Sequence, residues 1–414
     1  RYQTFFRILL EAKQSGQADV TCVTFWNLLD EGSWLTGFRR ETSYPLLFHG
    51  RCEAKEAYYA VLEAVVGRDQ IDTWSMDAPE ADYQVTGLTG DWIRRWKKPI
   101  WEEGEYTYEA AYGFVPNLFA YLHEDEAQHD AMLVVPGGGY CMCCSHEGEL
   151  PAMEFFHRGM NVFVLSYTTD ITMSVPLGRQ PLYDISRAVR YLRRHAADCH
   201  ISGGKLLLCG FSAGAHVCGS LAVHYMDVED GNPVYGDCSN RPDGVILSYP
   251  VITTGTYTHA PSIQALLGEN PPEEELEYFS LEEQVTEETP PCLIWQTETD
   301  ALVPVENSYL FATALRRAHV PFAHYVFPSG FHGLTIANGE YFAGWSGGEY
   351  TMEQVMRAVF AVREGKGVRV SDKRREELIQ QFSGEEDPVI DLDESLREDV
   401  GLWADLAWAW IRRL

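Results

Sequence analysis

The chain has 414 residues and carries 61 Asp and Glu against 32 Lys and Arg, which gives a formal net charge of −29. So much negative charge repels nucleic-acid phosphates and anionic lipid headgroups, and it therefore argues against nucleic acid or a membrane as a partner. No apolar run of about 18 residues is present to span a membrane, and ten cysteines in a chain of this length do not form a disulfide scaffold.

Residues 1–67 are predicted to form a small α/β fragment. The expected elements are a helix, a strand and a second helix: Tyr2–Lys13, Val20–Trp26 and Ala54–Val66. One strand and two helices cannot close an eight-stranded barrel or build an independent sheet.

An aromatic motif follows the strand of this fragment: Thr24-Phe25-Trp26, Asp30 and Ser33-Trp34. The motif resembles the C-terminal end of family 10 glycoside hydrolases, the (β/α)8-barrel xylanases. Asn27 departs from that family, which usually has Gly there. The resemblance places the catalytic glutamates of the family on earlier strands that this chain lacks, so we predict no glycosidase activity.

Residues 68–106 are predicted to be an irregular joining segment rich in tryptophan. The tryptophans are Trp74, Trp92, Trp96 and Trp101. A free linker would not carry so many large apolar side chains, so we expect the segment to pack on the domain that follows. The single strand of residues 1–67 has an unpaired edge. We therefore also predict that this fragment docks on the domain that follows, through Trp26, Trp34 and the joining segment.

Residues 107–414 are predicted to form a larger second domain. An antiparallel hairpin is expected over Tyr108–Leu122, and strands then alternate with helices. The predicted strands are Met132–Val135, Asn161–Ser166, Lys205–Cys209, Val245–Tyr249, Cys292–Gln296 and Ala323–Phe327. The predicted helices include Ala152–Arg158, Pro181–Ala197, Ala215–Tyr225 and Ser308–Ala318. This alternation indicates an α/β fold with a mostly parallel sheet that helices cover on both faces.

The most informative motif of this domain is Gly210-Phe211-Ser212-Ala213-Gly214, which stands between a predicted strand and a predicted helix. That context is typical of a nucleophile elbow, a tight turn that presents a serine at the end of a strand. Glycines two residues on either side of the serine leave room for the turn. We therefore predict Ser212 as the nucleophile, and we interpret His216 in the following helix as structural.

A glycine-rich loop follows the strand Met132–Val135, with the sequence Pro136-Gly137-Gly138-Gly139-Tyr140. Three glycines at the carboxyl end of a strand leave backbone N–H groups open to a ligand, as in the oxyanion-hole loop of lipases and esterases. We predict that the amides of Gly138, Gly139 and Ala213 hold the oxyanion.

The other two members of a triad are predicted after later strands. Asp300 follows Cys292–Gln296, and His332 lies in a glycine-flanked loop after Ala323–Phe327. The chain order Ser, Asp, His is that of the α/β-hydrolases. In this scheme the imidazole takes the serine proton and returns it to the leaving group, while the carboxylate orients the imidazole.

Other residues compete for these two roles. Glu298 is an alternative to Asp300, which is favoured because it begins an Asp-x-x-Val-Pro sequence. His319 and His324 are alternatives to His332, but His324 lies inside a strand pattern, where a packed histidine is expected. A catalytic side chain is better presented from a loop.

The cysteines Cys141, Cys143 and Cys144 crowd the chain just after the glycines, with His146 nearby. Their spacing fits no usual zinc site. The acyl-transfer chemistry predicted above requires no cofactor, so we predict neither a metal nor any other cofactor.

Several stretches of the second domain carry a further resemblance: Pro136–Tyr140, Gly148-Glu149 with Phe155–Tyr167, Gly210–Gly214, Ser280–Thr286 and Thr289–Pro291, and again Trp403–Leu414. Together they resemble a bacterial group of α/β-hydrolase carbohydrate esterases that includes acetyl xylan and feruloyl/acetyl xylan esterases. The resemblance implies an α/β-hydrolase fold and a substrate contact at Tyr140, the last residue of the glycine loop.

Residues 338–398 depart from this group. Two extra helices are predicted there, over Met352–Val362 and Asp372–Phe382. We expect this insertion to lie at the surface or at the rim of the active site, with a cover over the site as the alternative.

The triad and the resemblance together predict a serine esterase that removes acetyl groups from acetylated xylan or xylo-oligosaccharides of the plant cell wall. A feruloyl esterase, a peptidase of the same fold and a non-catalytic carbohydrate-binding protein are the alternatives. The barrel fragment indicates part of a larger xylanase–esterase polypeptide. The resemblance implies a secreted, cell-surface or periplasmic bacterial enzyme; the chain begins at Arg1 without a signal peptide, and a cytoplasmic location stays open.

Overall fold

The computed structural model of the chain describes residues 83–86, 92–342, 348–382 and 395–414. These residues belong to a compact unit that extends from Asp82 to Leu414. The elements predicted for residues 1–67, and their docking through Trp26 and Trp34, lie outside the described residues. The predicted domain boundary at residue 107 is wrong, because two strands of the unit precede that position.

The described part of the unit is built on a nine-stranded sheet. The strands are β1 Tyr83–Thr86, β2 Trp92–Pro99, β3 Asn117–His123, β4 Ala131–Val135, β5 Asn161–Ser166, β6 Leu206–Phe211, β7 Gly244–Ser248, β8 Cys292–Thr297 and β9 Phe322–Phe327. They lie in the order β1-β2-β3-β5-β4-β6-β7-β8-β9. All neighbours from β5 to β9 in this order are parallel, and β1, β2 and β3 join through antiparallel pairs.

The central strands are apolar because both of their faces are covered. β4, β5, β6 and β7 are buried along their whole length, as parallel strands between two helical layers must be. Alternate side chains of β4 point to opposite faces: Leu133 and Val135 enter one core, and Met132 and Val134 enter the other. The predicted doubly covered, mostly parallel α/β sheet is therefore confirmed.

Helices form a layer on each face of the sheet. In chain order they are α1 Glu149–His157, α2 Gln180–Arg194, α3 Ala213–His224, α4 Pro233–Gly236, α5 Ala260–Leu267, α6 Glu273–Tyr278, α7 Glu306–Arg317, α8 Gly339–Phe342, α9 Glu349–Glu364, α10 Asp372–Gln381, α11 Ser395–Asp399 and α12 Trp403–Ile411. Apolar residues of α2, α3 and α7 pack into one core, and those of α1 and α12 into the other. Across the described residues, no helix combines the length and apolar character needed to cross a lipid bilayer.

The antiparallel edge differs from the sequence prediction. β3 pairs with β2, so that Asn117 lies opposite Pro99, and residues 108–115 form no strand. The turn signal at Pro116-Asn117 instead closes a long loop, in which the Ile100 amide donates to the Pro116 carbonyl at 3.0 Å. The predicted hairpin over Tyr108–Leu122 is therefore wrong.

Two tryptophans of the predicted joining segment pack on the body of the unit. Trp96 is 5% exposed and lies against Phe163, with ring centroids 5.8 Å apart. The indole N–H of Trp101 donates to Asp184 at 2.9 Å. The expectation that these tryptophans pack on the domain that follows is confirmed for this pair.

The insertion predicted at residues 338–398 contains α9 and α10, close to their predicted bounds. Val355, Ala358 and Val359 of α9 form a small core with Ile171. Ahead of them, the Tyr341 hydroxyl donates to the carbonyl of Gly333 at 3.1 Å. The described part of the insertion thus packs on the body of the domain and contacts the loop that carries His332.

Candidate active site

The sharp turn at Ser212 joins β6 to α3 at the carboxyl edge of the sheet. Ser212 has φ 52° and ψ −119°, a backbone conformation that is strained for a residue with a side chain. The flanking glycines are needed because the chain folds back on itself. A Cβ at Gly210 would lie 2.5 Å from the Gly214 carbonyl oxygen, and one at Gly214 would lie 2.2 Å from that of Val135.

A continuous hydrogen-bonded chain joins Ser212, His332 and Asp300. Ser212 Oγ lies 2.8 Å from His332 Nε2, and His332 Nδ1 lies 2.7 Å from Asp300 Oδ2. An ionised carboxylate only accepts, so Nδ1 carries the proton and Nε2 is free to accept from the serine hydroxyl. The other carboxylate oxygen, Oδ1, accepts from the amides of Leu302 at 2.9 Å and Val303 at 3.0 Å. The buried carboxylate is thereby fixed from both sides.

The competing residues lie elsewhere. Glu298 accepts a hydrogen bond from the Tyr309 hydroxyl at 3.1 Å on the surface. His324 bonds to Ser308 Oγ at 3.1 Å, and burial lowers its pKa. Among the histidines that the structure describes, His332 is the one in hydrogen-bond contact with Ser212.

The glycine loop runs directly beside the serine. A Cβ at Gly137 would lie 2.8 Å from Ser212 Cβ. Gly138 has φ 122°, and a Cβ there would lie 2.3 Å from the carbonyl oxygen of Met142, so this backbone path requires glycine. The amides of Gly138 and Gly139 donate no hydrogen bond to any other residue that the structure describes. Ala213 opens α3, where an N–H has no acceptor within the helix.

Tyr140 does not reach the substrate side of the loop. Its side chain is 1% exposed, and its hydroxyl lies 2.7 Å from Nδ1 of His216, a residue of α3. Burial lowers the pKa of His216 to about 4, so this imidazole is neutral and serves as a packed hydrogen-bonding group. The predicted substrate contact at Tyr140 is wrong, because the ring turns into the core and supports the loop from below.

A buried carboxylate that the sequence analysis did not identify lies under the same loop. Glu147 Oε2 accepts from the Gly137 amide at 2.7 Å, and Oε1 accepts from the Tyr249 hydroxyl at 2.7 Å. The Tyr249 hydroxyl in turn accepts from the Thr335 amide at 3.2 Å. Tyr249 directly follows β7, so its place at the carboxyl edge of the sheet could have marked it; nothing in the sequence around Glu147 marks that residue.

An open cleft of about 650 Å³ adjoins His332. Its lining includes Leu302, Ser329, Phe331 and Leu396. The cleft has both apolar and hydroxyl-bearing walls, and it opens beside the imidazole that faces Ser212.

The cysteines after the glycine loop are packed thiols. Burial raises the pKa of Cys141 to about 11 and that of Cys143 to about 12. Cys143 Sγ donates to Gln354 of α9. No group of three or more His, Cys, Asp or Glu side chains suited to a metal ion occurs within the described ranges.

Two known families match this chain. The family described as BD-FAE matches residues 120–315, and the glycosyl hydrolase family 10 matches residues 1–64. The first range contains Ser212 and Asp300 and ends before His332. Both resemblances inferred from the motifs are confirmed.

Two curated relatives match parts of the chain. Endo-1,4-beta-xylanase B of Butyrivibrio fibrisolvens is 70% identical over 362 residues, which cover 87% of this chain and 57% of that protein. An acetylxylan esterase of Xylanibacter ruminicola is 30% identical over 212 residues, which cover 49% of this chain and 41% of that protein. The chain therefore spans well under two thirds of the length of either relative.

A solved structure shares the fold and part of the sequence. The acetyl ester-xyloside bifunctional hydrolase from Caldicellulosiruptor lactoaceticus is 34% identical with a TM-score of 0.55. The match covers 65% of this chain and 96% of that one. Nearly the whole of that protein therefore corresponds to about two thirds of this chain.

Proposed function

We infer that this chain, which contains a BD-FAE esterase domain and part of a glycosyl hydrolase family 10 domain, is a serine esterase that deacetylates xylan or xylo-oligosaccharides. The observation that carries the proposal is the hydrogen-bonded chain Ser212–His332–Asp300 beside unpaired backbone amides. The relatives named a xylanase and an acetylxylan esterase support the substrate class.

The first half-reaction forms an acyl-enzyme. Ser212 Oγ attacks the ester carbonyl while its proton passes to His332 Nε2. Asp300 holds the imidazole in the required tautomer and stabilises the imidazolium. The negative oxygen of the tetrahedral intermediate is stabilised by backbone N–H groups of Gly138, Gly139 and Ala213, each worth about a factor of 10² to 10³ in kcat.

The leaving sugar hydroxyl then takes the proton from His332, so the alcohol portion of the substrate must lie beside that imidazole. The 650 Å³ cleft adjoins this position and provides Phe331 and Leu302 as apolar surfaces for a sugar ring. In the second half-reaction, water activated by His332 attacks the acetyl-enzyme and releases acetate.

The 64 residues that match glycosyl hydrolase family 10 support a further proposal, that the chain is one part of a xylanase–esterase polypeptide. In such a polypeptide the esterase would remove acetyl groups that block the xylan backbone. We propose that the partner of this chain is acylated xylan and that the barrel fragment has no glycosidase activity by itself.

The test is acetate release from acetylated xylan by the full chain and its Ser212→Ala variant. We expect release by the wild type and at least a 10⁴-fold loss in the variant. Ser220→Ala is the matched control, because Ser220 lies on the same helix and its hydroxyl is occupied by the His216 carbonyl at 2.7 Å. Equal activity of wild type and Ser212→Ala would refute the serine mechanism.

Substrate choice is tested on the same proteins with p-nitrophenyl acetate and methyl ferulate. Faster turnover of methyl ferulate would replace the acetyl proposal by feruloyl ester hydrolysis. Binding of xylan without hydrolysis of any ester would replace it by a carbohydrate-binding function.

A further inference from the structure

The two halves of the proposed catalytic machinery come from distant loops, yet one buried carboxylate joins them. Glu147 is 2% exposed, and its two oxygens each accept one short hydrogen bond, from the Gly137 amide and from the Tyr249 hydroxyl. Tyr249 passes the connection to the Thr335 amide, three residues beyond His332. A single path of hydrogen bonds, Gly137–Glu147–Tyr249–Thr335, therefore runs from the glycine loop to the loop that carries His332, here called the histidine loop.

At the glycine loop, the hydrogen bond from the Gly137 amide to Glu147 fixes the position of the backbone. Gly137 is wedged between the Glu147 carboxylate and the nucleophile: a Cβ there would be 2.8 Å from Glu147 Oε2 and 2.8 Å from Ser212 Cβ. The next two amides are those proposed to stabilise the oxyanion. The carboxylate that holds Gly137 therefore sets how far these amides stand from the reacting carbonyl.

On the second side, the path contacts the imidazole. The Tyr249 ring meets the His332 ring edge to face, with centroids 4.9 Å apart at 70°. Beyond it, the Thr335 hydroxyl donates to the His146 carbonyl at 3.2 Å, next to Glu147 in sequence. The histidine loop is thus bonded back to the segment that carries Glu147.

The chemistry of the carboxylate argues against a role in stability alone. Within the described ranges no Lys, Arg or His forms an ion pair with Glu147. A buried carboxylate without a cation is expensive to desolvate, and an apolar residue of similar size would pack there at lower cost. What the carboxylate supplies instead is two acceptors at a fixed separation, aimed at two different loops.

We propose that Glu147 is a positioning residue that, through Tyr249, holds the oxyanion amides and His332 in one fixed relation to Ser212. The proposal rests on the proposed esterase function. Burial and the neighbouring Glu147 raise the pKa of Tyr249 well above its usual value, so its hydroxyl stays protonated and can donate to the carboxylate.

The donor and acceptor pattern predicts the effect of two variants. In Glu147→Gln the amide NH₂ must face either the Gly137 N–H or the Tyr249 hydroxyl, which already accepts from Thr335, so one contact is lost or reversed. Tyr249→Phe keeps the ring against His332 but removes the hydroxyl that links Glu147 to Thr335. Both variants should loosen the geometry while leaving the cleft unchanged.

The experiment measures steady-state hydrolysis of p-nitrophenyl acetate by the full chain and these variants. We expect kcat to fall about 10- to 100-fold in each, with KM within about threefold of wild type. Inhibition by an alkylboronic acid, which bonds to Ser212 Oγ and places a tetrahedral oxygen at the amides, should weaken by a similar factor. The double variant should lose little more than the worse single variant, because the two residues act as one unit.

Glu149→Gln is the matched control, since this nearby carboxylate contacts Arg95 and not the site; its kcat should equal that of wild type. Thermal unfolding of each variant checks folding, and Tyr249→Phe serves if Glu147→Gln does not fold. Unchanged kcat in Tyr249→Phe, a change confined to KM, or losses that multiply in the double variant would each overturn the positioning role. An inactive wild type would instead refute the esterase function.

Discussion

The variant Asp300→Asn tests the triad through the tautomer of His332. In the wild type, Asp300 Oδ1 accepts from two backbone amides, those of Leu302 and Val303, and Oδ2 accepts from His332 Nδ1–H. An asparagine keeps both amide contacts only if its carbonyl oxygen takes the Oδ1 position. Its NH₂ group then faces Nδ1 and donates to it.

That arrangement moves the imidazole proton to Nε2, the nitrogen that faces Ser212 Oγ. A protonated Nε2 cannot accept the serine proton, so the general base is lost while the fold is kept. The reverse rotamer would point the NH₂ at the amide donors of Leu302 and Val303, so both of those hydrogen bonds would be lost. The wrong tautomer reduces kcat by about 10⁴-fold in triads of this geometry, equivalent to about 5 kcal/mol of transition-state stabilisation.

The assay is kcat for p-nitrophenyl acetate, measured beside thermal unfolding. Glu298→Gln is the control, because it removes a carboxylate two residues away that accepts a hydrogen bond from the Tyr309 hydroxyl at the surface. We expect its kcat to stay within about twofold of wild type. A loss below tenfold in Asp300→Asn with a normal melting temperature, or an equal loss in Glu298→Gln, would refute the assignment of Asp300.

Three further results are expected. Gly137→Ala should lower kcat about 100-fold, because the added Cβ would lie 2.8 Å from Ser212 Cβ. Gly231→Ala is the control: a Cβ there would have no atom within 4 Å, so its rate and melting temperature should match those of wild type. Phe331→Ala should raise KM for acetylated xylo-oligosaccharides about tenfold, or about 1.4 kcal/mol, and leave KM for p-nitrophenyl acetate unchanged; equal rises would place the sugar elsewhere. Burial lowers the pKa of His216 from 6.5 to about 4, so as the pH falls the imidazole is protonated first in the unfolded chain, and the folded state loses stability between these two pH values. His216→Gln should therefore show a smaller drop in melting temperature than wild type between about pH 7 and about pH 4.5. An equal drop in the two proteins would contradict this.

The sequence was sufficient for the central sheet. β5 spans its predicted bounds, and β4 begins one residue before the predicted start. Strands buried on both faces are continuous apolar runs bounded by polar loops, so their pattern is independent of which strand lies beside which. Polar groups following these runs could then be assigned to one edge of the sheet, which is where Ser212, Asp300 and His332 meet.

The antiparallel edge could not be read in the same way. β2 has the sequence Trp-Ile-Arg-Arg-Trp-Lys-Lys-Pro, in which long cations occupy half of the positions. Such side chains extend along the surface from either a strand or a loop, so the pattern does not decide between them. Pairing with β3 decides it, and that contact crosses the loop from Ile100 to Pro116.

The supporting residues of the site depend on packing in the same way. Tyr140 stands next to three glycines in a loop that faces the site, and its position in sequence is equally compatible with a ring that points outward or inward. The inward position follows from His216, whose ring nitrogen lies within hydrogen-bond distance of the tyrosine hydroxyl. Glu147 likewise acquires its contacts only when three loops converge.

The early start of the sheet determines where this protein can be cut. A fragment that begins at residue 107 would lose β1 and β2. The edge of β3 that faces β2 would then carry bare N–H and C=O groups, while its other edge stays paired with β5. An apolar strand exposed in that way is a template for pairing with other copies. A fragment that begins at Asp82 retains both outer strands and should express as monodisperse protein. The fragment that begins at residue 107 should precipitate.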